Sequence, residues 1–525
     1  MRVIGMSTEL KYKPLDNVGL NGLNLQANPA SLDPSWLTQA DNVVLRESGR
    51  ISFRKGLKQN ILKTTAKVGS IGENGAGVVV AAVGTNMYTV DFTTPDAPWT
   101  AAFATGGSAS DWQIIDFNRE LYCVQDGHTP IELDSGTWTA LPSTAGYAAP
   151  AGVTTFDPSC GMGFYGRLWV GGITEEKDVV YYSDTLNAHI WSTGAAGYID
   201  LKTVWGTDDI VAIAAFYGKL VIFGKNNIVI YQDPIDPSAS SFQLDEVIRG
   251  IGCVSRDSVQ AVGDDLYFLS STGVRSLGRT TEKDNIPLQD LSLTIKDTII
   301  RNISQGTDAK AVYVEDEGLY VLSFVDLNIT YVFDIKHETP SGTPRITTWS
   351  FDGDIGPASF AYTDSKGFLI GQQAGSIATY EGYYDKTYVS GGTYTSSSYT
   401  CIFKSTWIDL GQGTVASLLK KLKAIISGGS GTTIGVKWYK DFNIEPSKTN
   451  NFLLNPVSSG VISLFGASTS LYGASKYTPI FGMREYNMLL SGSAKFLQIE
   501  MTGETAGASF SLQDMTLLYK QGKIR

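Results

Sequence analysis

Beyond residue 60 the chain alternates short apolar runs with tight polar turns, at the two-residue period of strands and with almost no helical spacing. Seven runs share one form: an apolar strand, a turn built on polar residues or glycine, and a second strand that opens on a large apolar side chain. They span Val78–Asp91, Ile114–Asp126, Gly161–Gly172, Ile213–Lys225, Val259–Leu277, Ala311–Val325 and Ala358–Gln373. Their second strands open at Met87, Leu121, Leu168, Leu220, Leu266, Leu319 and Phe368, so the successive intervals are 34, 47, 52, 46, 53 and 49 residues. Such a period in an all-β chain is that of four-stranded propeller blades, because each blade has to cover the apolar face of the next. The pentapeptides Phe164–Leu168 and Phe216–Leu220 nearly coincide (FYGRL and FYGKL), and the runs 178–184, 227–233, 328–334 and 375–382 repeat downstream of the hairpins. The pattern predicts an all-β fold with a β-propeller of about seven blades over residues 61–387. Six is the alternative, because the first interval is short and blade one reads as incomplete. A set of β-sandwiches is the competing architecture.

Two segments flank this region. In residues 1–60, Asp33-Pro34 reads as an N-cap with proline at the first helical position, and Trp36, Leu37 and Ala40 can share one face of a short helix. Val43–Leu45 then reads as extended, Glu47–Arg50 as a turn and Ile51–Phe53 as the returning strand, so an N-terminal helix-hairpin arm is expected. From residue 388 the composition shifts again. Ser390–Thr400 is rich in Ser, Thr, Gly and Tyr, a loop or weak strand bounding the propeller. Leu422, Ala424 and Ile426 alternate, Gly428–Gly431 reads as a hairpin turn, and Ile434, Val436 and Trp438 alternate on the return. With further strands at 496–501 and 509–519, residues 388–525 are expected to form a β-sandwich-like domain, or a sheet packed on the N-terminal segment. Within it, residues 450–488 form an apolar, glycine-rich insertion that reads either as a loop ordered by a partner or as a satellite core.

Charge narrows the range of functions. The 525 residues carry 41 Lys+Arg against 52 Asp+Glu, a net charge of −11, and no basic stripe is visible. That argues against a protein gripping nucleic acid by its phosphates. Cys123, Cys160, Cys253 and Cys401 are too dispersed for a zinc or disulfide framework. No signal-peptide pattern and no apolar run of membrane-spanning length is present, so folding in a reducing cytoplasm is expected.

Candidate chemistry fails on context. Gly161-Met162-Gly163-Phe164-Tyr165-Gly166 satisfies G-x-G-x-x-G, but a strand follows where a phosphate-binding helix is needed. There is no phosphate loop and no nucleophile elbow. His128, His189 and His337 stand apart from one another, outside any zinc-binding spacing. The carboxylate groups Asp208-Asp209, Asp264-Asp265 and Glu315-Asp316-Glu317 fall in turns that recur with the repeat, which suits turn chemistry better than acid/base catalysis. The expectation is a non-enzyme with no catalytic, cofactor-binding or metal residues and no cofactor.

The most specific pattern lies at the front of the chain. Gly22-Leu23-Asn24, Leu32-Asp33-Pro34, Ala40-Asp41-Asn42-Val43, Gly49-Arg50-Ile51 and Arg54-Lys55-Gly56-Leu57 together resemble the opening of the tail nozzle (tail hub, or head-stabilisation) proteins of short-tailed bacteriophages. The resemblance implies a propeller-containing structural protein of the virion tail, made in the host cytoplasm and present as a homo-hexamer. It would bind the portal-adaptor ring above and fibres or spikes below. It would extend the DNA conduit, retain the packaged genome and open for ejection, passing double-stranded DNA without sequence-specific binding. The acidic charge predicts a net negative lumen for such a ring. A carbohydrate-active, tailspike-like propeller and a generic propeller scaffold for protein partners are the alternatives.

Overall fold

The computed structural model describes the chain apart from residues 1–9, 16, 47–49, 62–63, 65, 106–110, 233, 238–241, 279–289, 307, 411–414, 455–482 and 522–525. The hairpin period arises from sheets arranged in a ring. Blade one comprises Val68–Glu73, Val79–Val83, Asn86–Val90 and Trp99–Ala104, and blade two Gln113–Phe117, Glu120–Gln125, His128–Asp134 and Thr137–Ala140. Blade three comprises Cys160–Phe164, Arg167–Ile173, Glu176–Tyr182 and Gly197–Asp200, and blade four Ile210–Phe216, Lys219–Gly224, Asn227–Gln232 and Gln243–Arg249. A sheet of only three strands follows: Gln260–Val262, Asp265–Ser270 and Gly273–Ser276. The next blade is Ala309–Val314, Leu319–Phe324, Ile329–Glu338 and Pro344–Trp349. The last is Pro357–Thr363, Gly367–Gln372 and Ile377–Tyr380, completed by Leu57–Gln59 from the N-terminal segment, which pairs antiparallel with Ile377–Tyr380. The protein is thus an all-β propeller with six four-stranded blades, plus the three-stranded sheet in a further place.

Alternation along each strand supplies apolar side chains to both neighbours. Leu168 and Val170 of blade three pack with Ile115, Tyr122 and Val124 of blade two, while Trp169 between them faces Ile213, Leu220 and Val229 of blade four. Blade one is complete, contrary to expectation, and the short sheet is the fifth. The source of the error is register. Met87 lies on the third strand of its blade, whereas Leu121, Leu168 and Leu220 lie on second strands. Val80, just past the turn that joins the first strand to the second, is the equivalent position.

The expected helix is absent. Trp36–Asp41 is a strand, paired antiparallel with Thr400–Ser405, and Leu37 and Ala40 are buried in the core. Asp33 does cap a turn, accepting the Ser35 N–H, but tertiary pairing outweighs the weak local preference for a helix. The hairpin Val43–Arg46 with Arg50–Phe53 forms as expected, while its turn lies outside the described residues.

The first 60 residues do not stand apart as an arm. Their strands enter both sheets of a C-terminal sandwich. One sheet runs in the order Val43–Arg46, Arg50–Phe53, Phe510–Gln521, Ser417–Gly428, Met483–Leu489, with Lys11–Pro14 added on Phe510–Gln521. The other runs Gly22–Leu23, Trp36–Asp41, Thr400–Ser405, Phe496–Glu504, Thr433–Lys440, Lys448–Leu453. Gly22–Leu23 pairs parallel with Pro344–Trp349, so this second sheet is continuous with a propeller blade. The expected hairpin at Gly428–Gly431 is a corner instead: Ser417–Gly428 and Thr433–Lys440 belong to opposite sheets, each with its alternating apolar face in the shared core. Ser390–Thr400 contains the strand Thr393–Ser397, which makes a hairpin with Asp385–Ser390 beside Leu57–Gln59. The apolar insertion after Leu454 lies mostly outside the described residues.

Candidate functional site

Among the described residues, two clusters of buried polar side chains stand where parts of the fold meet, one at the junction of sandwich and propeller and one on the propeller axis. The junction is built by the N-terminal pattern. Arg54 is fully buried (0 %) and donates from Nε to Asn42 Oδ1 at 2.8 Å, from Nη1 to the Lys55 carbonyl at 2.8 Å, and from Nη2 to the Ser350 carbonyl at 3.3 Å. Its two terminal nitrogens also face the two oxygens of Asp385, each at 3.4 Å. The guanidinium lies 3.9 Å from the ring centre of Tyr399 and 4.7 Å from that of Phe351. Asn42 sits at φ 56°, a left-handed conformation asparagine tolerates, and its amide donates to Ser350 Oγ and the Thr400 carbonyl. Asp385 also accepts the N–H of Leu57, the first residue of the strand that closes the propeller. These bonds tie that closing strand to Ser350 and to the sandwich residues Asn42 and Thr400.

On the axis, first strands of successive blades meet. Gly69–Ile71, Gln113–Ile114, Gln260, Lys310–Ala311 and Ser359–Phe360 surround a cavity of about 210 Å³. It shares Arg256, Asp257 and Lys310 with a second cavity, of about 520 Å³, which also takes in Asp111, Asp209, Lys225 and Asp308. Arg256 grips Asp257 through Nε at 2.8 Å and Nη2 at 3.0 Å, and donates from Nη1 to the Ser159 carbonyl at 2.8 Å. Lys310, 7 % exposed, donates to Asp257 Oδ2 at 2.5 Å and to Asp111. Burial alone would raise the Asp257 carboxyl, but the Arg256 and Lys310 charges outweigh it and hold the group well below the usual range. For Asp308 burial prevails and pushes the carboxyl up, Lys310 opposing it.

No protein-family model and no curated sequence matches the chain. Solved structures of similar shape include the extracellular domain of a hybrid two-component system from B. thetaiotaomicron, with 11 % identity, a TM-score of 0.41, and coverage of 66 % of this chain and 45 % of that one. PorZ, a surface component of the type-IX secretion system of Porphyromonas gingivalis, gives 15 % identity and a TM-score of 0.36, over 66 % of this chain and 44 % of its own. A chain of the mitotic checkpoint complex gives 11 % and 0.39, over 62 % and 95 %. The chain spans less than half the length of the first two.

The remaining residues singled out in the sequence are used locally. Asp208 accepts from the Asn226 backbone and from the Asn226 and Asn227 amides, and Asp209 pairs with Lys225 at 2.7 Å. Asp265 accepts from Ser276 and from the Gly278 N–H, and Glu317 pairs with Arg46 and Lys55. The glycine motif forms the hairpin of blade three, with Tyr165 and Gly166 both at positive φ. His189 meets Glu132 at 2.8 Å and His337 meets Asp334 at 3.0 Å, while the His128 ring lies against Trp112. Among the described residues no group of three His, Cys, Asp or Glu is placed to hold a metal ion. The four thiols are buried, and burial pushes Cys160 and Cys253 up to about 12, so they stay protonated. The sequence reading missed the axial cluster, because Asp111, Arg256 and Lys310 come from distant places and none belongs to a motif. The available signal was a lysine inside a first strand that is otherwise apolar and an arginine just ahead of another.

Proposed function

We propose that this chain is a structural subunit of a short-tailed bacteriophage tail nozzle. In this reading it assembles as a ring of six copies on the portal-adaptor complex, carries fibres or spikes, and forms a conduit that retains and then releases DNA. The observation that carries the reading is the N-terminal pattern Gly22–Leu57. Its residues Asn42, Arg54 and Leu57 are engaged in joining two bodies, which suits a part that must transmit mechanical load. The propeller agrees with the body the resemblance implies. The net charge of −11 suits a wall past which DNA slides, since phosphate-binding cations would hold it.

The test is the mass of the purified chain, alone and mixed with portal-adaptor complexes, by light scattering with negative-stain imaging. A six-fold ring, formed alone or on the adaptor, is expected. A monomer that ignores the adaptor overturns the reading.

One observation favours a carbohydrate-active propeller instead. Asp257 is held low and Asp308 high at the same cavity, the division that acid and base roles require. Against it, no aromatic residue among those described lines that larger cavity to stack on a sugar, and Asp257 is committed to two cations. Capsular polysaccharide cleavage that is lost in Asp308→Asn would establish it.

A further inference from the structure

Left-handed backbone is a position for glycine, asparagine or aspartate, because other side chains crowd the carbonyl there without a compensating local hydrogen bond. Among the described residues, four with large apolar side chains adopt it: Tyr165 (φ 47°), Leu186 (φ 55°), Tyr217 (φ 48°) and Phe442 (φ 64°). The first three are neighbours. Tyr165 and Tyr217 occupy the turns between first and second strands of blades three and four, and the Tyr165 hydroxyl lies 3.1 Å from where a Cβ on Gly218 would stand. Leu186 donates its N–H to the Gly166 carbonyl, with its side chain over that glycine. Phe164 and Phe216 brace the two tyrosines, with ring centres 4.3 Å and 4.5 Å away.

Other blades supply an internal control. At the same turn blade two uses Asn118-Arg119, the fifth sheet Gly263-Asp264, the next blade Glu315–Gly318 and the last Asp364–Gly367. The hairpin therefore does not need an aromatic residue. Tyr217 is 71 % exposed, so burial does not offset the strained backbone either. The two-residue hairpin turn needs left-handed backbone but not a tyrosine in it, so an exposed aromatic residue kept there marks a surface used for contact.

The fourth residue belongs to a projection. Phe442 packs on Trp407 and Phe496, and Asp441 anchors the same turn by accepting the N–H groups of Lys495 and Phe496. Ile444, two residues on, is 91 % exposed. Beside it stands Glu445, whereas Lys219 stands two residues after Tyr217. Lys219 pairs with Asp245 at 2.6 Å, both side chains partly exposed, and also feels Glu246; surface pairs of this kind are weak, so a partner carboxylate can join or replace them at little cost.

We infer that the Tyr165–Leu186–Tyr217 platform receives the Phe442–Ile444 turn of a second copy of this chain. Platform and projection are different surfaces, so a head-to-tail contact between them is heterologous, the kind that builds the ring proposed above when its rotation closes. The exposed Ile444 side chain at the tip of that turn fits a floor of two tyrosines and a leucine, and Glu445 then approaches Lys219. This inference rests on the ring proposed above and names its interface.

Two variants and one cross-link test it in the full chain with portal-adaptor complexes. Tyr217→Asn places in the left-handed turn a residue that prefers it, so Tm should not fall, while the assembled fraction at fixed concentration should drop at least tenfold. Ile444→Ser should do the same. When Tyr217→Cys and Ile444→Cys chains are mixed and oxidised, disulfide-linked dimers should form that neither variant gives alone, the four native thiols being buried. Rings that form normally in both variants and give no mixed cross-link overturn the inference and leave the nozzle reading standing. Intact rings that lose only adaptor binding put another protein on the platform and overturn it too. A wild-type chain that never assembles overturns both.

Discussion

Arg54 shows why a single side chain can matter to two bodies at once. A guanidinium presents five donors in a fixed plane, and here that plane reaches Asn42, Ser350, Asp385 and the chain beside it while its faces meet Tyr399 and Phe351. Lysine offers the charge without the plane. Arg54→Lys should therefore cost about 3 kcal/mol, as when a buried pair loses its geometry, and the shift should appear in the urea midpoint with propeller and sandwich unfolding together. The axial cluster makes a pH-dependent prediction. The Asp257 carboxyl is held below its ordinary value in the folded state, so its stabilisation is complete above about pH 4 and fades as the pH falls below it. Asp257→Asn should lower Tm at pH 7, and the gap from wild type should narrow under acid. A gap that widens below pH 4 contradicts the role assigned to the two cations. Neither cluster was legible as a site in the sequence. Asn42 and Arg54 were visible only as members of a pattern, without a partner, because Ser350 and Asp385 lie roughly 300 residues away in the chain.

At the level of elements, the strand Leu57–Gln59 decides whether the propeller closes. It is short, and its approach depends on Gly56, where a Cβ would fall 2.0 Å from the Tyr384 carbonyl oxygen. Backbone cannot yield there as a flexible side chain can. Gly56→Ala should thus destabilise by about 3 kcal/mol, whereas Gly353→Ala, with nothing near its Cβ, should be neutral or slightly stabilising. Thermal unfolding of both separates the steric effect from any general cost of replacing glycine. The hairpins of the propeller were legible because two-residue alternation and turn residues are local signals. The strand Trp36–Asp41 was not, since its Leu37 and Ala40 fit a helical face equally well and only its partner Thr400–Ser405 selects the extended form. The corner at Gly428–Gly431 failed for the same reason: glycine marks a reversal of the chain but not whether the return strand joins the same sheet.

For the whole molecule the decisive property is how charge is spent. The chain carries −11, and on the propeller axis Arg256 and Lys310 are paired with Asp257 and Asp111. At the junction Arg54 faces Asp385, and Arg46 and Lys55 share Glu317. Cations tied up in this way are not available to displace the counterions of DNA, which is the step that drives phosphate binding. On the nozzle reading proposed above, a ring of subunits of this net charge would present an acidic wall to the duplex and hold the genome by closure, not by adhesion. Labelled duplex of about 30 base pairs should accordingly show no change in fluorescence anisotropy with the assembled ring, at roughly 50 mM salt as at 150 mM. Binding that weakens steeply between those two concentrations would reveal a cationic stripe along the conduit, and the sliding-wall reading would fall while the ring itself could stand.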